Sequence, residues 1–147
     1  MTIDELVSHH RRVAIDSNVF IYLFEGSGPE ATAAGIVLDA IEAGRCDGIL
    51  ATVGLTEILT RPASLGDGAL FERYADEIRS IRNLRLPPLD DETAVDAAWG
   101  RSTDRDLGDA VHIATAKAAG ATAIVTNDRR MRPRATVEIV LLDAITA

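Results

Sequence analysis

Val13-Ala14-Ile15-Asp16-Ser17-Asn18 is a short apolar run closed by a carboxylate and two small polar residues. Such a run, bounded by polar residues able to start a helix, reads as a buried strand. Ala123-Ile124-Val125 followed by Thr126-Asn127-Asp128 repeats the arrangement near the other end of the chain. Working outward from these two, Gly48 to Ala51 is another strand candidate. Leu84 to Leu89 is extended, held by Pro87 and Pro88, and Val137 to Leu142 is the last strand. Helical spacing fills the gaps: Asn18 to Phe24; Glu30 to Ala43 with Gly44 as C-cap; and Thr52, as a cap, to Arg61, stopped by Pro62. Ala69 to Arg82, a helix capped by Asp90, and Leu107 to Ala119 with Gly120 beyond it complete the set. Short strands alternating with helices predict an α/β fold of three layers, α/β/α, around a mostly parallel sheet of four to five strands. Residues 1–147 are expected to form a single domain.

Of the 147 residues, 47% are hydrophobic and 26% charged, which provides for a core and excludes a disordered chain. The single cysteine, Cys46, rules out an internal disulfide and a cysteine zinc site, and suits a reducing compartment. No run approaches the roughly 18 apolar residues of a membrane span. Asp4, Glu5, His9 and His10 stand where a signal peptide would need apolar residues. A cytoplasmic protein without membrane contact is therefore expected. Thr2 and Glu5 have the spacing of a capping box.

The net charge of −8 opposes a general basic face for nucleic acid. The positive charge is uneven, however: Arg129, Arg130, Arg132 and Arg134 directly follow Asp128. They are candidates for contact with an RNA backbone, with Arg101 and Arg105 as helpers; a solvated charged loop is the alternative.

Four acids carry the functional argument: Asp16, Glu57, Asp109 and Asp128. In open α/β sheets the ligand crevice lies outside the carboxyl ends of the strands. Asp16 and Asp128 each follow a strand candidate, and Asp109 stands near a helix start. Carboxylates meeting there repel one another unless a cation joins them. Each acid also has an ordinary explanation. Asp16 can be an N-cap, Glu57 a solvated or ion-paired residue, Asp109 a partner of the helix dipole, and Asp128 part of a turn. Asp106 competes with Asp109 as an N-cap. His112 reads as a packed or hydrogen-bonded histidine, and His9 and His10 as a surface pair.

Taken together, Val13-Ala14-Ile15-Asp16-Ser17-Asn18, Thr56-Glu57-Ile58-Leu59, Asp109 to Ala116 (DAVHIATA) and Val125-Thr126-Asn127-Asp128-Arg129 resemble the PIN-domain ribonucleases, with the VapC-type toxins of toxin–antitoxin pairs as the nearest likeness. The resemblance spans Val13 to Leu142. It implies that Asp16, Glu57, Asp109 and Asp128 are catalytic, metal-binding acids, with Asp16 and Asp109 as principal ligands and Ser17, Thr126 and Asn127 as flanking polar support. It further implies Mg²⁺ or Mn²⁺ as cofactor, hydrolysis of RNA, a VapB-type antitoxin partner and a homodimer. Apolar faces around Leu55, Leu59, Leu70 and Tyr74 can supply those protein contacts or belong to the core. A housekeeping PIN nuclease and a non-catalytic acidic-groove binding module are the alternatives. A haloacid-dehalogenase-like phosphohydrolase would need an acid where Asn18 stands and a second lysine besides Lys117, the only one in the chain.

Overall fold

The computed structural model describes residues 1–102, 106–134 and 136–147. Five strands form one sheet: β1 (Arg12–Ile15), β2 (Asp47–Ile49), β3 (Leu84–Arg85), β4 (Ala123–Thr126) and β5 (Glu138–Leu141). Their order is β3-β2-β1-β4-β5 and every pairing is parallel, so the sheet is wholly rather than mostly parallel. The helices among the described residues are α1 (Ile3–His9), α2 (Ser17–Glu25), α3 (Pro29–Glu42), α4 (Thr52–Ser64), α5 (Gly68–Ser80), α6 (Asp91–Gly100) and α7 (Leu107–Ala118).

Side-chain alternation along β1 separates the layers. Val13 and Ile15 join Phe20, Val37, Ile41, Ile58 and Ile78 in the larger core, to which α1 through α5 contribute. Ala14 faces the other way, with Ile49 and Ile124 against Ile113 and Ala116 of α7. Helix α6 packs on the outside of α7 through Ala97, Ala110, Val111 and Ala114. This is the expected three-layer architecture. The chain moves from β1 to β2 and β3 on one side, then crosses back to β4 and β5 on the other. The strand order therefore reverses between β1 and β4, and that switch point is where parallel sheets open a crevice.

Local chemistry sets most boundaries. Asp90 caps α6 by accepting from the Thr93 N–H at 2.8 Å, and Gly44 and Gly120 take the positive φ expected just past α3 and α7. The Thr2–Glu5 capping box is complete and starts α1, whose Ile3 and Leu6 are buried; Thr2 also bridges to Thr146. The opening segment thus locks onto the end of the chain.

Several expectations are corrected. Ala51, not Thr52, is the N-cap of α4, without a side-chain bond. Pro62 does not stop that helix, which runs to Ser64; the proline sits buried in its last turns and leaves the Ile58 carbonyl without its i→i−4 N–H. Only Leu84 and Arg85 of the Leu84 to Leu89 stretch pair as a strand. His10 is no surface residue. It is buried, with Nδ1 2.8 Å from the Thr122 hydroxyl and Nε2 3.2 Å from Glu138, while His9 stays exposed. Tyr74 is buried and stacks on Phe24, while Leu55, Leu59 and Leu70 are partly buried and pack against the core. The large apolar side chains that do project from α6 are Val95 and Trp99.

Candidate active site

Asp16 ends β1 and caps α2. Its Oδ1 accepts the Ser17 N–H at 2.7 Å, so the cap and the ligand position are the same place. The residue is only 5% exposed. A buried carboxylate needs hydrogen bonds. Thr126, fully buried at the end of β4, supplies one by donating its hydroxyl to Asp16 Oδ2 at 2.6 Å. The same hydroxyl accepts from the Asp128 N–H at 3.0 Å and from Asn18 Nδ2 at 3.3 Å. Asn18 Oδ1 accepts the Asn127 N–H at 3.2 Å, and Asn127 Nδ2 lies 3.3 Å from the Tyr22 hydroxyl. Ser17, Thr126 and Asn127 thus belong to a polar frame stitching the exit of β1 to the exit of β4 across the switch point. Asn18 and Tyr22 complete that frame without having been singled out. The small polar pair after Asp16 was the one signal for Asn18, and Tyr22 had none.

Glu57 reaches the crevice from α4. Its Oε1 accepts from His112 Nε2 at 2.8 Å, and the same nitrogen lies 3.5 Å from Asp16 Oδ1. One ligand atom from each of Asp16, Glu57 and His112 falls within 4.8 Å of the others. Two glycines make this possible. A Cβ on Gly108 would stand 3.0 Å from Glu57 Oε2, and one on Gly54 would stand 2.8 Å from His112 Cε1. His112 is a hydrogen-bonded core histidine, as expected, but its bond partner is a site acid. Burial works against its positive charge; its hydrogen bond to Glu57 and the charges of Asp16, Glu57 and Asp109 outweigh it and raise its pKa.

Asp109 lies in the first turn of α7, where Asp106 is the N-cap and accepts the Asp109 N–H at 3.1 Å. Burial, then the negative charges of Asp16, Asp106 and Asp128, push the Asp109 carboxyl up to about 7. Asp128 has a different environment. Arg130 clamps it through Nε at 3.0 Å and Nη2 at 3.1 Å, with its own N–H at 2.9 Å, and this holds the Asp128 carboxyl below its usual value. Two of the other arginines are also engaged. Arg129 pairs with Asp143, and Arg134, largely buried, binds Asp96 at 2.6 Å on α6. Arg132 is exposed and has no ion-pair partner among the described residues, while Arg105 lies outside them.

These side chains fit a divalent cation. The donors are mainly carboxylate oxygens, the ligands hard cations prefer. Burial first, and then the surrounding negative charges, raise the Asp109 carboxyl to about 7, and a bound cation would offset the repulsion. A parallel α/β sheet thus carries a group of acids at its switch point, where the crevice of such sheets lies. The chain belongs to the PIN-domain family, whose model matches residues 13–136. No curated protein matches it in sequence. Solved structures of similar fold include VapBC2 from Rickettsia felis bound to a promoter DNA fragment (12% identity, 88% of this chain and 98% of that one, TM-score 0.68). A toxin–antitoxin complex from Klebsiella pneumoniae is also similar (17% identity, 85% and 94%, TM-score 0.64). So is the sarcin–ricin-loop-cleaving toxin VapC20 of Mycobacterium tuberculosis (14% identity, 76% and 86%, TM-score 0.59).

Proposed function

We propose that this protein is a metal-dependent endoribonuclease of the VapC toxin type, held in check by a cognate VapB-type antitoxin. The observation that carries the reading is the meeting of Asp16, Glu57 and His112, with the Asp109 carboxyl raised to about 7 by burial and then by the charges of Asp16, Asp106 and Asp128. Membership of the PIN family supports nuclease chemistry. The toxin–antitoxin neighbours support the partner, and the RNA-cleaving one supports the substrate. The single buried thiol and the lack of any described helix long and apolar enough to cross a membrane accord with action in the cytoplasm. A homodimer is part of the same reading.

A bound Mg²⁺ or Mn²⁺ would supply charge neutralisation at the scissile phosphate and acidify an attacking water. Asp16 and Asp109 are the residues to hold it: Asp16 is fixed by Ser17 and Thr126, and Asp109 gives up its proton as it binds. Glu57 Oε2 accepts no side-chain hydrogen bond among the described residues and would take a proton from the water or orient it. Attack on phosphorus breaks the P–O3′ bond, leaving a 3′-hydroxyl and a 5′-phosphate. Asp128 would help to hold a second cation if Arg130 turned from it toward RNA phosphate, with Arg132 two residues further on; Arg129 and Arg134 keep structural ion pairs.

The test is cleavage of cellular RNA by the purified chain with Mn²⁺ or Mg²⁺, against EDTA and Asp16→Asn. Cleavage requiring both metal and Asp16 is expected; cleavage that persists in EDTA or in the variant would sink the reading. Expression without the antitoxin is expected to arrest growth, whereas harmless expression of an active nuclease would indicate a housekeeping role.

A further inference from the structure

We propose that His112 is the positioning residue of this site, a buried hydrogen-bond donor that fixes the Glu57 carboxylate for cation binding. This rests on the metal-nuclease reading above. Glu57 comes from α4, and its side chain is 40% exposed, so on its own it would sample many rotamers. His112 comes from α7, is 2% exposed, and has little room to turn. Gly54 of α4 faces its ring so closely that a single added Cβ would collide with Cε1, and Leu50 closes the same space. The rigid partner therefore orients the mobile one. With Oε1 engaged by Nε2, Glu57 turns Oε2 toward the first turn of α7, over the bare backbone of Gly108. His112 lies one helical turn beyond Asp109, so one face of α7 carries both a site acid and the donor that sets another. Asp16 Oδ1, 3.5 Å from the same nitrogen, ties the third carboxylate to this point. Hydrogen-bond partners behind metal ligands set affinity by holding ligand geometry, and their loss weakens binding about 10- to 100-fold.

The experiment is Mn²⁺ titration calorimetry on the folded protein, with no RNA present. His112→Leu, which deletes the donor, is expected to bind Mn²⁺ about 10- to 100-fold more weakly. His112→Gln, which keeps an N–H donor without the ring, is expected to recover most of that loss. Recovery separates positioning from packing, since glutamine does not restore the imidazole's contacts. If His112→Leu does not fold, Gly54→Ala, which displaces the ring but keeps its chemistry, is expected to weaken Mn²⁺ in the same direction. Unchanged affinity in the folded donor-less variant, or in Gly54→Ala, overturns the proposal. So does strong imidazole nitrogen coupling in the electron spin echo of bound Mn²⁺, which would make His112 a direct ligand. Wild-type protein that binds no Mn²⁺ would instead overturn the metal-nuclease reading, and this proposal with it.

Discussion

The two ends of the sheet handle charge in opposite ways. At the amino ends of the strands, charges are matched within the chain: Arg12 with Asp47 at 3.3 Å and Arg45 with Asp4 at 2.5 Å. Arg12 also donates to the Ala119 carbonyl at the end of α7, at 2.7 Å. At the carboxyl ends, Asp16 and Glu57 meet one imidazole, and the Asp109 carboxyl is raised to about 7 by burial and then by the charges of Asp16, Asp106 and Asp128. Charge balance at the first end serves stability. The imbalance at the second is destabilising in isolation, and the cation proposed for this site would remove it.

Removing a site acid should break this contrast most. Asp16→Asn and Asp109→Asn are each expected to lower RNA cleavage by more than about 100-fold, the scale of losing a group that acts in the transition state. Their stabilities should diverge. Asp109→Asn relieves repulsion and should raise the melting temperature of metal-free protein. Asp16→Asn disturbs the carboxylate that receives Ser17 and Thr126 and should lower it. Parallel cleavage and melting assays check both, and equal shifts of melting temperature would show that repulsion is not centred on Asp109.

Metal should erase the imbalance. At about 100 times its dissociation constant, a cation bound only by the folded state adds about 2.7 kcal/mol of stability. Wild-type protein is expected to gain on that scale with Mn²⁺, and Asp109→Asn to lose most of the gain. A melting curve indifferent to Mn²⁺ would contradict a cation site at this end.

The pH dependence follows from the same groups. Asp109 has a folded pKa of about 7 against an ordinary 3.8, so between those values the folded state holds a proton that the unfolded state has released. Stability of the metal-free protein therefore falls as pH rises through that window. His112, also raised, adds stability present below 6.5 and lost as pH climbs through its folded value, in the same direction. Asp128, lowered by Arg130, works oppositely, but only as pH drops below its ordinary 3.8. The urea midpoint without metal should be higher near about pH 5 than near about pH 7.5. Asp109→Asn should flatten the difference; an unaltered slope would place its cause elsewhere.

What could be read in advance divides by distance along the chain. Asp90, Asp106 and the Thr2–Glu5 pair follow local capping rules, and the apolar triplets before Asp16 and Thr126 mark strands through composition alone. The acids were visible because strand ends meet at a switch point whatever lies between them. Long-range pairing was not visible. Nothing near Arg134 announces Asp96, nothing near Arg129 announces Asp143, and nothing in DAVHIATA announces that His112 will meet Glu57. The burial of His10 against Thr122 and Glu138 depends on β4 and β5 arriving beside β1, a fact of topology rather than of local pattern. Pro62 was misread because a local rule was applied without the packing that overrides it.

The smallest expected effect tests the quiet end. Asp47 and Arg12 are both substantially solvent-exposed, with side chains 53% and 36% accessible, and exposed ion pairs contribute no more than about 1 kcal/mol. Asp47→Ala should therefore cost less than about 1 kcal/mol in urea unfolding and leave the Mn²⁺-induced gain intact, because Arg12 retains its bond to the end of α7. Arg12→Ala removes that bond as well and should cost more than Asp47→Ala. If Asp47→Ala instead changed Mn²⁺ affinity, the two ends would be electrostatically coupled through the sheet, and the division of labour between them would have to be abandoned.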